Sequence, residues 1–361
     1  MKILLVGEYS GLHLNLYEGL LNYPNMQVDL MSDGDGFKKF ERTIDIKGIS
    51  KNKLIYTITR IIKEIYAVIR LKEYDVIQVI NPLIFSRFGP AKFLIYCLRK
   101  KTNKLIMLAV GDDSYYWKAY REGKFLYSPH PYILDIDGKQ GFSCWETRRY
   151  KFLNNYLIKV SDVIVPGLLE YSLGYANNPK LHKVINFPVN LEKLPPPIIK
   201  FYSEGEKIKI IHGVQKGREG FKGTNFIDLA MDEVLIKYPD LVEYIRVENI
   251  SFQDYIKILN QSHIIIDQVN GYGSGMNSLF SLAMGKIVLG GNEQIEDYDN
   301  VITPVFNITP NVKQIISVLE EVISLRNEFH LLSKKSIDYI QNNHSHFKIA
   351  LEYIDLYKSI K

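Results

Sequence analysis

A chain of 361 residues is longer than a single hydrophobic core usually serves and suits two domains. Hydrophobic residues at 46% and charged residues at 24% give the balance of a soluble globular protein and exclude long disordered stretches. The net charge of +5 is no nucleic-acid footprint by itself, although it suits anionic ligands and an anionic membrane surface.

The opening apolar run is short and lacks a small-residue cleavage site, so Lys2–Val6 is predicted as a buried first strand rather than a signal peptide. No run approaches the roughly 18 apolar residues of a spanning helix. Cys97 and Cys144 have neither metal nor redox spacing and read as reduced thiols of a cytoplasmic protein. After the turn Gly7–Gly11 come a helix from Leu14 to Leu21 and a strand from Gln27 to Met31. Leu54, Ile55, Ile58, Ile61, Ile62, Ile65, Val68 and Ile69 form a helical stripe across Lys53–Leu71. Strand Asp75–Ile80, helix Pro90–Arg99, strand Lys104–Val110, helix Trp145–Lys159 and strand Asp162–Val165 follow. The second half repeats the plan. Strands are predicted at Ile208–His212, Glu243–Val247, Ile264–Asp267 and Lys286–Leu289. Helices are predicted at Thr224–Lys237, Ser251–Leu259 (N-capped by Ser251) and Asn277–Met284. Alternating short apolar strands and helices imply parallel sheets covered on both faces. Asn186–Lys200, with Pro188 and Pro195–Pro197, reads as a stiff linker. The expected layout is an N-terminal Rossmann-like domain over 1–188, a linker over 189–200, a second Rossmann-like domain over 201–343 and a C-terminal helical segment over 344–361. Within that segment, Phe347–Ile360 is the helix after a break at Asn342–His346.

Ligands of open parallel sheets bind beyond the carboxyl ends of the strands. Three loops there are informative. Gly7-Glu8-Tyr9-Ser10-Gly11 precedes a helix and offers Ser10 and Gly11 to an anionic group, though it is not GxGxxG and has no ribose-binding acid at the usual remove. The stretch from Gly213 to Thr224 places Arg218 and Lys222 in a glycine-rich loop with Gly223 at its end, a planar fork and a point charge suited to a departing diphosphate. The third loop runs from Asp267 through Tyr272, Ser274, Gly275 and Met276 into a helix starting at Asn277 and Ser278, whose amides can hold a phosphate or sugar hydroxyls. Glu248, just past the Glu243–Val247 strand, is counted with the donor contacts. In the first half, Asp112 and Asp113 end a strand beside Tyr115, Tyr116 and Trp117, placed to grip sugar hydroxyls; Asp113 can equally cap the next turn. Asp135-Ile136-Asp137 has the form of a metal-binding DxD, but next to Gly138 it reads as turn chemistry.

On these loops the chain resembles the retaining GT-B glycosyltransferases of the large family that includes bacterial capsule, O-antigen and mannosyl transferases. The resemblance spans Ile208–Gly291, with weaker support from the opening strand and turn. Arg218 and Lys222-Gly223 resemble the family's diphosphate-gripping residues, His263–Gln268 with Tyr272-Gly273 its strand into the donor loop, and Ala283–Val288 its helix-to-strand passage. It implies two Rossmann-like domains with parallel sheets facing a central cleft, and a C-terminal helix that crosses back to the first domain. One feature departs from the pattern. Anchored on Gly285-Lys286, the family's two donor-loop glutamates fall on Tyr272 and Phe280. Donor contacts must then come from backbone amides, from Asn277, Ser278 or Ser281, or from Glu293 and Glu296.

The implied activity is metal-independent, retaining transfer of a sugar from a nucleotide-diphosphate sugar to a saccharide or lipid-linked saccharide in surface polysaccharide or glycan biosynthesis. The nucleotide sugar is a co-substrate; no cofactor, metal or nucleic acid is expected. The stretch Lys51–Lys72, with Lys51, Lys53, Arg60, Lys63, Arg70 and Lys72 around an apolar stripe, is either a core-facing helix with a solvated basic face or a peripheral contact with the anionic inner face of a membrane. The alternatives are a metal-dependent GT-A-type transferase resting on Asp135 and Asp137, and a non-catalytic sugar-nucleotide-binding or scaffold protein resting on the missing glutamates.

Overall fold

The computed structural model describes residues 1–36, 38–128, 143–214, 217, 219–248, 250, 252–293 and 302–360, with Phe252 and Gln253 by their backbone alone. The chain forms two compact units. The first comprises Met1–Lys124, Ser143–Asn190 and His344–Lys361; the second comprises Phe125–Phe142 and Leu191–Asn343. Residues 125–128, which the sequence places in the N-terminal domain, therefore belong with the second unit.

The first unit contains β1 (Lys2–Val6), α1 (Leu12–Leu21), β2 (Gln27–Ser32), β3 (Ile44–Asp45), α2 (Lys53–Arg70), β4 (Tyr74–Val79), α3 (Ala91–Lys100), β5 (Thr102–Ala109), α4 (Ser114–Arg121), α5 (Arg148–Val160), β6 (Val163–Pro166) and α6 (Leu169–Leu173). Its parallel sheet has the order β3-β2-β1-β4-β5-β6, so the direction of winding reverses between β1 and β4. Ile3, Leu4, Leu5 and Val6 are wholly buried, as a central strand covered on both faces requires. The helix predicted from Trp145 begins instead as a 3-10 turn, Cys144–Glu146, and α5 starts only after the extended Thr147. Ser143 and Glu146 close a capping box, and Arg121 holds the Glu146 carboxylate at 3.0 Å, which fixes that turn apart from α5.

The second unit contains β7 (Ile208–Val214), α7 (Glu219–Lys222), α8 (Thr224–Lys237), β8 (Val242–Glu248), α9 (Phe252–Gln261), β9 (Ile264–Ile266), α10 (Met276–Ala283), β10 (Ile287–Gly290), β11 (Phe306–Asn307), α11 (Val312–Ser324) and α12 (Phe329–Asn343). The sheet order is β11-β10-β9-β7-β8, all parallel, with its reversal between β7 and β9. Its core joins Ile208, Ile210, Ile264 and Ile266 of the sheet to Ile227 and Met231 of α8 and to Ile315 and Leu319 of α11. The Ser251 cap lies outside the described residues.

The last helix, α13 (His346–Ser359), is part of the first unit. It packs so tightly on α1 that a Cβ on Gly19 would stand 2.3 Å from the His346 carbonyl oxygen. Tyr357 donates to Gln78 Oε1 at 2.9 Å, and Lys104 Nζ donates to the Tyr357 carbonyl at 2.9 Å. Among the described residues no helix is long and apolar enough to cross a membrane.

Candidate functional site

In the second unit the winding reverses between β7 and β9, the place where open α/β sheets receive ligands. Two of the loops singled out above leave the sheet there. The first descends from Gly213 in β7 through α7 to Gly223. Gly223 has φ +71°, and a Cβ on it would lie 2.3 Å from Val269 Cγ2, so only glycine turns the chain there. That turn sets Lys222 against Asp267, the residue that follows β9. Lys222 Nζ donates to Asp267 Oδ1 at 2.9 Å and to the Gly213 carbonyl at 3.0 Å.

Asp267 is the hub. It is 2% exposed, and Oδ1 also accepts from Asn277 Nδ2 at 3.0 Å while Oδ2 accepts from Ser278 Oγ at 2.7 Å. Burial pushes the carboxyl up, but the Lys222 ammonium and the hydrogen bonds from Ser278, Lys222 and Asn277 outweigh it and hold it below its ordinary value. Tyr255 of α9 donates to Asn277 Oδ1 at 2.9 Å and so fixes the amide that faces Asp267. Beneath the cluster, burial pushes His212 down to about 4. The neutral ring donates from Nδ1 to the Ile266 carbonyl at 2.9 Å and accepts the Thr224 hydroxyl at Nε2, 3.0 Å away, tying β7, β9 and α8 together.

α10 begins at this cluster. Gly275 is its N-cap and supplies no side-chain cap, so among the described residues no cap side chain competes with a ligand or water for the amides of the first turn. Among the described residues two of the three Lys222 N–H bonds are engaged, and 21% of its side chain is exposed. Met276 is buried at the start of α10, and Ser274 is half-buried in the preceding loop. Tyr272 packs its ring against Phe125 and Tyr127 at 5.8 and 4.7 Å between centroids and accepts from the Leu126 amide at 2.7 Å. Tyr127 in turn donates to Glu293. Glu248 is exposed at the end of β8 and ion-paired with Arg246. Arg218, Glu296, Asp135 and Asp137 lie outside the described residues. Among those described, no group of His, Cys, Asp and Glu side chains is arranged to hold a metal ion.

The structure thus brings Gly213, Lys222, Gly223, Asn277 and Ser278 together and leaves Glu248 apart with Arg246. From the sequence, Asp267 is only the start of the third loop, with no role of its own, and Tyr255 is passed over. Asp267 had a signal: an acid directly after three isoleucines, hence at the carboxyl end of a buried strand.

In the first unit Asp113 is 2% exposed and caps α4, its Oδ1 accepting from the Tyr115 and Tyr116 amides at 2.8 Å each and its Oδ2 from the Tyr175 hydroxyl. Burial raises its carboxyl to about 6. Of the two functions the sequence left open, Oδ1 performs the cap, while Oδ2 is taken by the Tyr175 hydroxyl. Asp112 is half-buried, with Oδ2 accepting from Trp117 Nε1 at 3.0 Å. Ser10 has φ 56° and donates its amide to Asp35 Oδ2 at 2.8 Å, while Lys38 donates to its hydroxyl at 2.9 Å. Gly11, with φ +86°, is the N-cap of α1. A pocket of about 380 Å³ opens beside this turn at the β1–β4 reversal, its charged lining coming from Glu8, Asp33, Asp35, Arg60 and Arg87.

Glu8 is 3% exposed, and burial pushes its carboxyl up to about 7 against the pull of the Leu14, Gly11 and His13 amides. Leu14 donates to Oε2 at 2.8 Å, whereas Oε1 has no partner among the described residues. A carboxyl raised above its ordinary 4.5 costs stability as pH rises from that value through 7 and levels off above it. Glu8→Gln is therefore expected to match the native protein at pH 4 and to exceed its stability by on the order of 2–3 kcal/mol at pH 8. Urea unfolding at the two pH values measures this; parallel pH profiles for both proteins would contradict it.

No protein-family profile and no curated protein sequence matches the chain. Solved structures do. Sucrose-phosphate synthase from Thermosynechococcus elongatus matches with a TM-score of 0.65 at 12% identity, covering 99% of this chain and 98% of the other. The catalytic domain of starch synthase IV from Arabidopsis thaliana, bound to ADP and acarbose, matches at 0.61 and 10% identity over 99% of each chain. UDP-GlcNAc 2-epimerase from Neisseria meningitidis, bound to UDP-GlcNAc, matches at 0.56 and 15% identity over 99% of this chain and 100% of the other. The shared property is the fold, two Rossmann-like α/β units with parallel sheets, which is the GT-B architecture. A GT-A-type transferase is thereby set aside.

Proposed function

We propose that this chain is a glycosyltransferase that moves a sugar from a nucleotide-diphosphate sugar onto a saccharide or lipid-linked saccharide, with retention, in surface polysaccharide or glycan biosynthesis. The observation that carries the reading is the convergence of Lys222, Asn277 and Ser278 on Asp267 beside the uncapped start of α10. A diphosphate seated there meets the α10 amides and the remaining N–H of Lys222, with Arg218 four residues earlier in the same loop. When the sugar–phosphate bond breaks, negative charge grows on the leaving oxygen, and fixed donors stabilise that charge without reorganising. The acceptor hydroxyl oxygen bonds to the sugar on the face the diphosphate leaves, and its proton passes to the departing phosphate oxygen, which goes off with the nucleotide diphosphate. The Asp267 carboxylate does not touch the donor in this scheme; it holds Lys222 and the start of α10 in register. Asp112 and the pocket of the first unit, with mixed carboxylates and guanidinium groups, suit the hydroxyls of an acceptor.

A second reading is favoured by one observation: Tyr272, where the resembled family has a glutamate, is packed under Phe125 and Tyr127. In it the chain binds a sugar nucleotide without transferring the sugar.

Thermal unfolding with a panel of nucleotide diphosphates and their sugars, with and without EDTA, tests both. A ligand at about 100 times its Kd adds roughly 2.7 kcal/mol of stability. Stabilisation by one nucleotide diphosphate, unchanged by EDTA and lost in Arg218→Ala, is the expected result. No shift with any of them would overturn the donor site, and stabilisation without donor consumption would select the second reading.

A further inference from the structure

The inward side of α2 carries charge as well as the wholly buried Val68: Arg60 donates to Glu64 at 2.8 Å and to Asp33 at 2.9 Å, and the wholly buried Glu64 accepts from the Ser86 amide. Its outward side carries Leu54, Ile55, Ile58, Ile62, Tyr66 and Ile69, each between 48% and 70% exposed. The spacing of these residues makes one continuous stripe along the 18-residue helix. Of the stripe read from the sequence, Val68 is buried and Ile61 and Ile65 are half-buried, while Leu54, Ile55, Ile58, Ile62 and Ile69 lie on the exposed side. A contiguous apolar stripe of this length on a surface marks an interaction site.

The charges around it say what covers it. Lys51 and Lys53 stand at one end of the stripe and Arg70 and Lys72 at the other. α3 packs beside α2, and α5 beside α3. Neither α3 nor α5 contains an aspartate or glutamate, while they hold three and four basic residues respectively. The one acid of α2 is the buried Glu64. Both neighbours also expose aromatics beside lysines: Lys92 lies 4.8 Å from the Phe152 ring centroid and Lys100 lies 5.6 Å from that of Tyr96. Two copies of such a face repel one another, whereas anionic headgroups attract it and acyl chains accept its isoleucines and leucine.

We propose that α2, flanked by α3 and α5, is the seat on which this protein rests on an anionic lipid bilayer, with the apolar stripe entering the interface and the basic ends held by headgroups. The proposal rests on the first unit alone and stands whether or not the chain transfers sugars. Ile58 and Ile62 point outward while Tyr56, Thr57 and Arg60 of the same helix line the 380 Å³ pocket, so the seat lies beside the candidate acceptor site.

The test is co-sedimentation of the full chain with vesicles of phosphatidylcholine alone and of phosphatidylcholine mixed with phosphatidylglycerol, at low and high salt. Binding is expected only to the mixed vesicles and is expected to weaken with salt. Ile58→Asp/Ile62→Asp should reduce it about tenfold or more, and Lys51→Glu/Lys53→Glu should make it insensitive to the anionic lipid. All substituted residues are on the surface, and an unchanged melting temperature checks that each variant folds. Analytical ultracentrifugation of the same proteins decides the competing occupant. No vesicle binding by the native chain, binding unaffected by both variants, or a dimer dissolved by Ile58→Asp/Ile62→Asp would each overturn the proposal.

Discussion

Lys222→Met is expected to lower sugar transfer by about 10²–10³-fold and to destabilise the protein by about 3–5 kcal/mol. The two losses have different causes. Transfer falls because the diphosphate loses a charged donor. Stability falls because Asp267, 2% exposed, is left as a buried carboxylate with only the Asn277 amide and the Ser278 hydroxyl. The pH dependence should change sign as well. In the native protein the Asp267 carboxyl is held below its ordinary value, so its contribution is present above that value and is lost as pH falls through the folded one. Without Lys222, burial acts unopposed by an ammonium, the carboxyl rises, and stability is lost as pH increases instead. Lys222→Met/Asp267→Asn should regain most of the stability and none of the transfer. Urea unfolding between pH 3 and 8, about the window set by the ordinary carboxylate range, reads one effect, and donor turnover reads the other. Native turnover in Lys222→Met would remove Lys222 from the donor grip. Native stability in that variant would show that the ion pair does not offset the burial of Asp267.

The sheets were legible because their strands are apolar on both sides. Ile3–Val6, Ile264–Ile266 and Ile287–Leu289 have no polar face to hide, and each lies in a parallel sheet where the alternation places it. The helical stripe of α11, from Val312 through Ile315, Leu319 and Val322, is as regular, yet it is not among the helices predicted from the sequence. The glycine loops were legible for a related reason: Gly223 permits a backbone that other residues resist. Two things were hidden. The direction in which a stripe faces is not written in its periodicity, so α2 has the pattern of a core helix while burying only Val68 of that pattern and exposing Leu54, Ile55, Ile58, Ile62 and Ile69. Contacts between remote segments leave no local trace either, and nothing near Tyr127 announces a partner at Glu293, 166 positions away. The role of Asp113 was open in the sequence because a short acid after a strand serves a cap and a ligand equally well.

Gly291→Ala should disrupt the loop proposed to hold the donor without replacing any residue proposed to contact it. The backbone of Gly291 has no unusual φ, so the reason for glycine is space alone. A Cβ there would lie 1.8 Å from the Gly271 carbonyl oxygen and 2.7 Å from its carbon. Both are backbone atoms and cannot rotate away as a side chain would. The approach is close because the two segments are laced together: Gly291 donates to the Gln268 carbonyl at 3.0 Å and Glu293 to the Tyr272 carbonyl at 2.9 Å. Behind Gly291, Asn292 is held by Asn307 at 2.8 Å and holds the Val305 carbonyl at 3.0 Å, so that side cannot yield cheaply. The methyl group must therefore push Gly271 outward, at a cost of about 3 kcal/mol. Tyr272 and the Gly273–Gly275 lead into α10 move with it. Donor affinity should fall together with stability, because the α10 amides and Asn277 are aimed by that loop. Gly275→Ala is the control: its Cβ meets nothing within 4 Å, and its φ of −75° suits any residue. Its stability should stay within about 1 kcal/mol of the native value, the usual range for alanine at an N-cap. Isothermal titration with the nucleotide diphosphate found by the thermal screen, alongside urea unfolding, reads both quantities. A Gly291→Ala protein with native stability and affinity would mean that the loop yields freely, and the donor site would then owe its shape to something other than this lacing.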